Sequence, residues 1–211
     1  SPSSAASDVY KRQDENTLYT GGLKIYTTLD LDIQKIAKKT FENYSLLKKD
    51  NMQGGMVTID PNNGDIISIV AGKNFKIGGF NRATMAKRQL GSSFKPFLYF
   101  TAIQNGFELN TIVEDMYLQY GKWIPKNYGS RYNRNMTLLT ALDRSVNTVS
   151  VQLLEKVGIN NFKKNMQLLD PELKIPDNLT ASLGTVENTP LQQAIDLSLI
   201  HISEPTRRVV I

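Results

Sequence analysis

The chain has 211 residues, with 25 Lys and Arg against 20 Asp and Glu, a net charge of +5 and no cysteine. A surplus this small, with the lysines scattered rather than arranged in a stripe, does not indicate a nucleic-acid-binding protein. The absence of cysteine excludes a disulfide framework and a zinc site with cysteine ligands. No apolar run in the sequence reaches the length of a membrane-spanning helix.

Both ends of the chain resemble translated sequencing adapters. Residues 197–207 resemble the conceptual translation of a transposase-type adapter, and residues 3–13 resemble its companion. We therefore expect residues 1–13 and 197–211 to be foreign to the protein and exclude them from the functional reading. Without them the net charge falls from +5 to +3, and the only histidine, His201, is lost. If this expectation holds, the protein itself has no histidine, which excludes a serine–histidine catalytic pair and a histidine-ligated metal site.

A strand, a helix and a β-hairpin are the first predicted elements. Residues 23–29 alternate in polarity and are rich in β-branched and aromatic side chains, which predicts a strand. Asp30 can cap a following helix whose apolar residues recur at helical spacing through Phe41. Residues 55–59 and 65–72 are two apolar runs joined by a turn that contains Asn-Gly, which predicts a hairpin.

The rest of the chain is predicted to be mostly helical. Residues 73–91 are expected to form a loop, and residues 107–136 an irregular segment rich in tyrosine. Between them, a helix is predicted to open at Ser92, to tolerate Pro96 in its first turn and to end at Gly106. The later helices are predicted to start at Thr137, before Val149, at Phe162 and at Thr189.

The strongest chemical signal is Ser92 followed by Lys95, which places a hydroxyl and an amine one turn apart on one face. Gly91 permits a close backbone approach, and the positive end of a helix favours a developing anion. Burial of Lys95 between aromatic neighbours would lower its pKa and allow it to act as a base. A second copy of the pattern, Ser45 to Lys48, lacks this context, and we expect an ordinary exposed pair there.

Ser145-Val146-Asn147 stands 53 residues after Ser92 and is commonplace by itself, since it could simply cap a helix. Together with the first motif it suggests a second hydroxyl that relays a proton and an amide that contacts a peptide. Trp123 and Tyr128 are candidates to line a binding groove, although a packing role explains either residue better.

The ordered set of motifs resembles the transpeptidase domain of class A penicillin-binding proteins. S-x-x-K with a second Ser-x-Asn element is a signature of penicillin-binding proteins and class A β-lactamases. Further matching segments follow in the family's order across nearly all of residues 22–196. They are residues 22–30, 59–66, 80–96, 125–128, 137–148 and 183–190. Leu90 stands where the family commonly has proline, and the family's K-T-G element is not found in the sequence.

The resemblance implies a penicillin-binding protein and serine β-lactamase-like fold of mixed α/β (α+β) type. It also implies that Ser92 is the acylated nucleophile, that Lys95 is its base and that Ser145 and Asn147 are the partners from the second motif. The substrate would be a D-Ala-D-Ala stem peptide, and β-lactams would acylate the same serine. No cofactor and no metal are implied.

The resemblance further implies a longer protein. Residues 14–22 would be the linker from an upstream glycosyltransferase domain with a membrane anchor, and residues 23–196 a partial, extracytoplasmic transpeptidase domain. We expect the sheet to be incomplete without its C-terminal strands and the 211-residue chain to be inactive.

Two alternatives use the same fold. A serine β-lactamase or D,D-carboxypeptidase would pass the acyl group to water, although the entry segment at residues 22–30 favours the bifunctional synthase. A non-catalytic β-lactam sensor domain would be acylated only to signal.

Overall fold

The fold is a largely helical body with three short, two-stranded antiparallel sheets. The computed structural model describes residues 24–49 and 51–203. Within them the α-helices are α1 (Leu31–Asn43), α2 (Arg82–Met85), α3 (Lys95–Gln104), α4 (Leu138–Asp143), α5 (Asn147–Val157), α6 (Ile159–Leu169) and α7 (Pro190–Ser203). The 3₁₀ turns are Ser45–Lys48, Gly91–Phe94, Tyr128–Ser130 and Leu179–Leu183.

The strands pair as β1 with β2, β3 with β6 and β4 with β5, all antiparallel. Their bounds are β1 (Met56–Ile59), β2 (Ile66–Val70), β3 (Arg88–Gln89), β4 (Ile112–Asp115), β5 (Arg134–Thr137) and β6 (Glu187–Asn188). The predicted hairpin is β1–β2, whose register shifts between Thr58 and Ile59. The mixed α/β class expected from the sequence is confirmed.

The strand predicted over residues 23–29 is wrong for its described part. Residues 24–30 are extended, exposed chain without ladder pairing, and Leu23 lies outside the described residues. This segment touches only the start of β2, where Thr28 Oγ1 donates to the Ile66 carbonyl (2.8 Å) and the Asp30 N–H to the Ile67 carbonyl (3.0 Å). Farther along β2, Gln34 of α1 donates from Nε2 to the Ile69 carbonyl (2.9 Å) and accepts from the Ile69 N–H (2.8 Å). Asp30 caps α1 as predicted, accepting from the N–H groups of Asp32 and Ile33.

Two predicted loops contain structure that the residue pattern did not reveal. Residues 73–91 hold α2 and β3, and residues 107–136 hold β4 and the start of β5. Both pairings, β3 with β6 and β4 with β5, join segments far apart in sequence, so local periodicity carries no signal for them. The helix predicted from Phe162 begins earlier, at Ile159.

The main hydrophobic core surrounds α3 and α5, which pack against each other. Several of its largest members follow Ser92 in the sequence, and among them Phe94, Phe97 and Leu98 are at most 1% exposed. The Phe94 ring lies 5.6 Å from that of Phe162 on α6, in an edge-to-face arrangement. This core therefore fixes the helix that follows Ser92 from several sides.

The turn that carries Ser92 lies directly against the backbone of Gly184. Gly91 donates to the Gly184 carbonyl (3.0 Å) and Leu90 to the Val186 carbonyl (2.9 Å). A Cβ on Gly184 would stand 1.9 Å from the Gly91 carbonyl oxygen, and Gly184 has φ +72°. Glycine is required there by close approach and by backbone conformation together.

The last helix, α7, runs from Pro190 to Ser203 and so crosses the boundary predicted at residue 196. Ile200 packs on the main core, and Ser198 is buried. The boundary itself stays a prediction. None of the helices in the described part of the chain is long and apolar enough to cross a membrane.

We expect Gly184→Ala to destabilise the protein much more than Gly106→Ala. Both positions have positive φ, but a Cβ on Gly106 would meet nothing within 4 Å. The αL conformation costs each variant about 1–2 kcal/mol, and the backbone clash adds about 1–3 kcal/mol at Gly184. Denaturant unfolding of the two variants measures the difference. Equal free energies of unfolding would contradict the close packing of Gly91 on Gly184.

Candidate active site

Ser92 lies in the 3₁₀ turn before α3 and is exposed. Among the described residues its hydroxyl makes no hydrogen bond. The neighbouring hydroxyl is used differently, because Ser93 Oγ donates to the Leu90 carbonyl (2.6 Å). The Ser93 carbonyl accepts from Gln193 Nε2 (2.9 Å), which ties the turn to α7. Of the two adjacent serines, Ser92 is thus the one with an uncommitted hydroxyl.

Lys95 is the first residue of α3 and is 1% exposed. Its Nζ donates to three oxygens, which are Ser145 O (2.6 Å), Ser145 Oγ (2.9 Å) and Asn147 Oδ1 (2.6 Å). Three acceptors match the three N–H groups of an ammonium. The burial of Lys95 expected from the sequence is confirmed.

Burial lowers the pKa of Lys95 to about 8. The cause is desolvation, which disfavours the charged amine. Within the described residues no carboxylate lies within ion-pair distance of Lys95, so no opposing charge raises the pKa again. The amine can therefore reach its neutral form near neutral pH, as a general base must.

Ser145 sits between α4 and α5 with φ +53°, an uncommon conformation for a residue other than glycine. Its N–H donates to the Leu142 carbonyl (2.9 Å) and the next N–H, of Val146, to Ala141 (2.9 Å). In this conformation the carbonyl and the hydroxyl of Ser145 both accept from Lys95. Strained backbone of this kind is frequently found at functional sites.

Asn147 is the first residue of α5, and its side-chain amide is fixed at both ends. Its Oδ1 accepts from Lys95, and its Nδ2 donates to the Lys126 carbonyl (2.8 Å). The helix has no cap from Val146 at its N-cap position. Asn127 supplies one, because its Oδ1 accepts from the N–H groups of Asn147 (2.9 Å) and Thr148 (3.2 Å).

The structure thus brings Lys95, Ser145 and Asn147 into direct contact, with Ser92 three residues before the lysine. In the described residues no hydrogen bond joins Ser92 Oγ to Lys95 Nζ, whose three N–H groups point elsewhere. Of the three acceptors only Ser145 Oγ carries a proton of its own. That hydroxyl is the group through which a proton can pass to or from the amine.

The aromatic candidates lie apart from this cluster. Trp123 is half-buried and packs on Tyr120, with ring centroids 5.8 Å apart. Tyr120 donates to Glu155, which is eight residues beyond Asn147 on α5. Tyr128 is fully exposed in the loop after Asn127. No contact found in the described residues joins Trp123 or Tyr128 to Lys95, and their role in substrate binding stays a prediction.

The second copy of the motif is an exposed 3₁₀ turn, Ser45–Lys48, in which only Leu47 is buried. Sequence reasoning missed the polar residues behind Asn147, which are Asp115, Asn127 and Thr148. A signal existed for two of them, because Asn127 and Thr148 each belong to a segment that resembles the penicillin-binding family. Asp115 lies on a strand that was not predicted.

The comparisons with known proteins agree with this geometry. The family model described as "Penicillin binding protein transpeptidase domain" matches residues 54–194. The chain is 35% identical over 159 residues to Penicillin-binding protein 1A of Neisseria lactamica, covering 72% of this chain and 20% of the relative. It is 39% identical over 153 residues to Penicillin-binding protein 1A of Aquifex aeolicus, covering 67% and 20%. The chain thus spans about a fifth of the length of these relatives.

Solved structures lead to the same family. The PonA1 protein from Mycobacterium tuberculosis in complex with penicillin V aligns with a TM-score of 0.75 at 26% identity, covering 88% of this chain and 52% of that one. Penicillin-Binding Protein 1A from Haemophilus influenzae aligns with a TM-score of 0.63 at 29% identity, covering 70% and 23%. Because the family model covers most of the chain and includes every residue of the Ser92–Lys95–Ser145–Asn147 cluster, this chain belongs to the penicillin-binding protein transpeptidase family.

Proposed function

We propose that the chain is the transpeptidase part of a class A penicillin-binding protein and forms a serine acyl-enzyme at Ser92. The observation that carries the proposal is the buried Lys95 amine, held by Ser145 and Asn147 without a carboxylate partner. A lysine in this state is suited to take a proton from a nearby hydroxyl. Ser92, three residues before Lys95, is the candidate because its hydroxyl is exposed and uncommitted, whereas that of Ser93 donates to the Leu90 carbonyl.

In the first step Lys95 Nζ accepts the Ser92 hydroxyl proton as Oγ attacks the carbonyl carbon of a D-Ala-D-Ala stem peptide. The C–N bond then breaks, and the proton passes from Lys95 through Ser145 Oγ to the departing D-Ala amine. An ester to Ser92 remains. In the second step an amine of a neighbouring peptidoglycan strand attacks the ester, and the cross-link forms. The amine loses a proton as its N–C bond forms, and Ser92 Oγ regains a proton as the ester bond breaks. A β-lactam would enter the first step by opening its ring.

The attack places negative charge on the carbonyl oxygen, which needs N–H donors. The Ser92 backbone N–H donates no hydrogen bond within the described residues and is available for this role. By the family resemblance a second donor would come from the K-T-G element, which this sequence lacks. We infer that the 211-residue chain alone reacts slowly for this reason.

We further propose that a longer protein carries this domain on the extracytoplasmic side of a bacterial membrane, behind an upstream anchor and glycosyltransferase domain. The similarity to relatives named Penicillin-binding protein 1A, of which the chain spans about a fifth, supports this proposal. The proposed transpeptidase passes the acyl group to an amine, whereas a β-lactamase or a carboxypeptidase passes it to water.

A fluorescent penicillin should label Ser92 covalently in a longer protein that joins this sequence to a K-T-G element. Ser92→Ala should abolish labelling, and Ser45→Ala, in the exposed second copy of the motif, should leave it unchanged. The 211-residue chain should label about 10²- to 10³-fold more slowly, because one oxyanion donor is absent. Labelling that survives Ser92→Ala would overturn the assignment of the nucleophile.

The acylation rate should follow the protonation of Lys95. Because burial lowers the pKa of Lys95 to about 8, the amine is charged below that pH and cannot accept a proton. The rate should therefore rise about tenfold per pH unit below about pH 8 and level off above it. Stopped-flow acylation across this range provides the measurement.

Lys95→Arg is the matched variant for this prediction, since a guanidinium keeps the charge but does not deprotonate. It should lose about 10²- to 10⁴-fold in acylation rate. An arginine variant within a few-fold of the wild-type rate would show that Lys95 acts only as a positive charge.

The two roles of Ser145, its hydroxyl and its backbone conformation, can be separated by Ser145→Gly and Ser145→Ala. Both variants lose the hydroxyl, so both should acylate more slowly if Ser145 relays the proton. Glycine accepts φ +53° without strain. Ser145→Gly should therefore be more stable than Ser145→Ala by about 1 kcal/mol. Urea unfolding compares them, and an alanine variant of equal or greater stability would contradict the strain.

A further inference from the structure

We infer that Asp115 is a positioning residue, which holds Asn147 against Lys95 through Asn127 and Thr148. The inference rests on the proposed function, because the lysine it orients is the proposed base. Asp115 itself touches neither Lys95 nor Ser92 among the described contacts, so it acts through its hydrogen-bond partners.

Asp115 is the last residue of β4 and is 1% exposed. Its Oδ1 accepts from Asn127 Nδ2 (2.6 Å) and Thr148 Oγ1 (2.6 Å). Its Oδ2 accepts from the backbone N–H (2.7 Å) and the side-chain Nδ2 (3.2 Å) of Asn133. Four donors surround it, and within the described residues it forms no ion pair. A carboxylate can accept hydrogen bonds but cannot donate them, so every group that faces Asp115 must be a donor. Because all four donors are bound and the group is buried, its position is fixed.

The acceptor-only character of Asp115 fixes the orientation of the Asn127 amide. Since Nδ2 of Asn127 points at Asp115, its Oδ1 must point at the N–H groups of Asn147 and Thr148. The opposite orientation would set an amino group against two backbone donors, and would set the amide oxygen against a carboxylate. The Arg131 carbonyl, which also accepts from Asn127 Nδ2 (3.0 Å), favours the same orientation. Asp115 makes the shorter bond (2.6 Å), and together the two acceptors leave Asn127 Oδ1 to cap the N-terminus of α5.

This cap sets the position of Asn147, whose Oδ1 is one of the three acceptors around the Lys95 amine. Thr148 adds a second link, because its hydroxyl donates to Asp115 while its N–H donates to Asn127. The path from Asp115 to Lys95 therefore consists of hydrogen bonds of 2.6–3.2 Å through Asn127 and the first turn of α5.

Asparagine at position 115 would be nearly isosteric but could not satisfy all four donors. Its amino group would face either the Asn133 N–H or the Asn127 amino group. In the second case Asn127 rotates and uncaps α5. Asn147 then recedes from Lys95, the ammonium loses an acceptor, and the pKa of Lys95 falls below its present value of about 8. Removal of a nearby negative charge acts in the same direction.

The test is made on the 211-residue chain and needs no β-lactam, so its outcome is independent of whether Ser92 is acylated. NMR follows the titration of the Lys95 ε-methylene, and amide exchange follows the N–H groups of Asn147 and Thr148. In Asp115→Asn the Lys95 midpoint should fall by about half a pH unit or more. Exchange of the two amides should accelerate about tenfold, which corresponds to one lost hydrogen bond.

Asp143→Asn is the matched control, because it removes the same charge from an exposed position at the end of α4. It should change neither the Lys95 midpoint nor the exchange rates. If Asp115→Asn does not fold, Asn127→Ala cuts the same path while leaving Asp115 in place, and should lower the Lys95 midpoint likewise.

Two outcomes would overturn the inference. One is a folded Asn127→Ala protein with an unchanged Lys95 midpoint, because this variant removes the capping amide whichever way an asparagine at position 115 would turn. The other is exchange that accelerates equally at the far end of α5, which would mean that Asp115 stabilises the fold as a whole without positioning Asn147.

Discussion

The site depends on a buried lysine amine that is surrounded by neutral oxygens. A buried ammonium needs acceptors to replace the water it has lost, and Ser145 and Asn147 provide three. A carboxylate in the same place would have stabilised the charge and raised the pKa of Lys95. Because the acceptors are neutral, desolvation prevails and the pKa falls to about 8. The lowered pKa of Lys95 thus depends on the absence of charge on its three acceptors.

Two side chains of the candidate site occupy the first positions of helices. Lys95 begins α3 and Asn147 begins α5, where backbone N–H groups have no partner within the helix. At α5 the partner comes from Asn127, twenty residues earlier in the chain. At α3 the turn before the helix is held by Gly184, whose missing side chain lets two backbone segments touch. In both places a distant loop fixes where a helix begins, and so fixes the reactive group.

The Asp115 carboxylate lies behind Asn147 and makes no direct contact with the lysine among the described residues. It is satisfied by amide and hydroxyl donors and forms no ion pair within the described residues. This separation lets a carboxylate order the first turn of α5 without pairing with Lys95.

Much of the site could be predicted from the sequence because its signals are local. The spacing of Ser92 and Lys95, the pair Ser145 and Asn147, and their order among family motifs identified the cluster. The aromatic residues beside Lys95 indicated its burial, and the contrast with Ser45 and Lys48 showed that context separates a site from a chance match. The hairpin and the cap of α1 by Asp30 were also readable, since turn and cap chemistry act over a few residues.

Other features were decided only by tertiary structure, because they depend on contacts between distant residues. The pattern of residues 24–29 is that of a strand, yet the segment bonds only to the start of β2, and Gln34 binds the strand farther along, at Ile69. β4 and β5 were invisible to local periodicity, and with them the buried position of Asp115. The left-handed conformation of Ser145 cannot be read from a serine. The sequence by itself determined which groups are the candidates for the chemistry. The tertiary structure decided which oxygens surround the amine and how deeply it is buried, and that burial lowers its pKa.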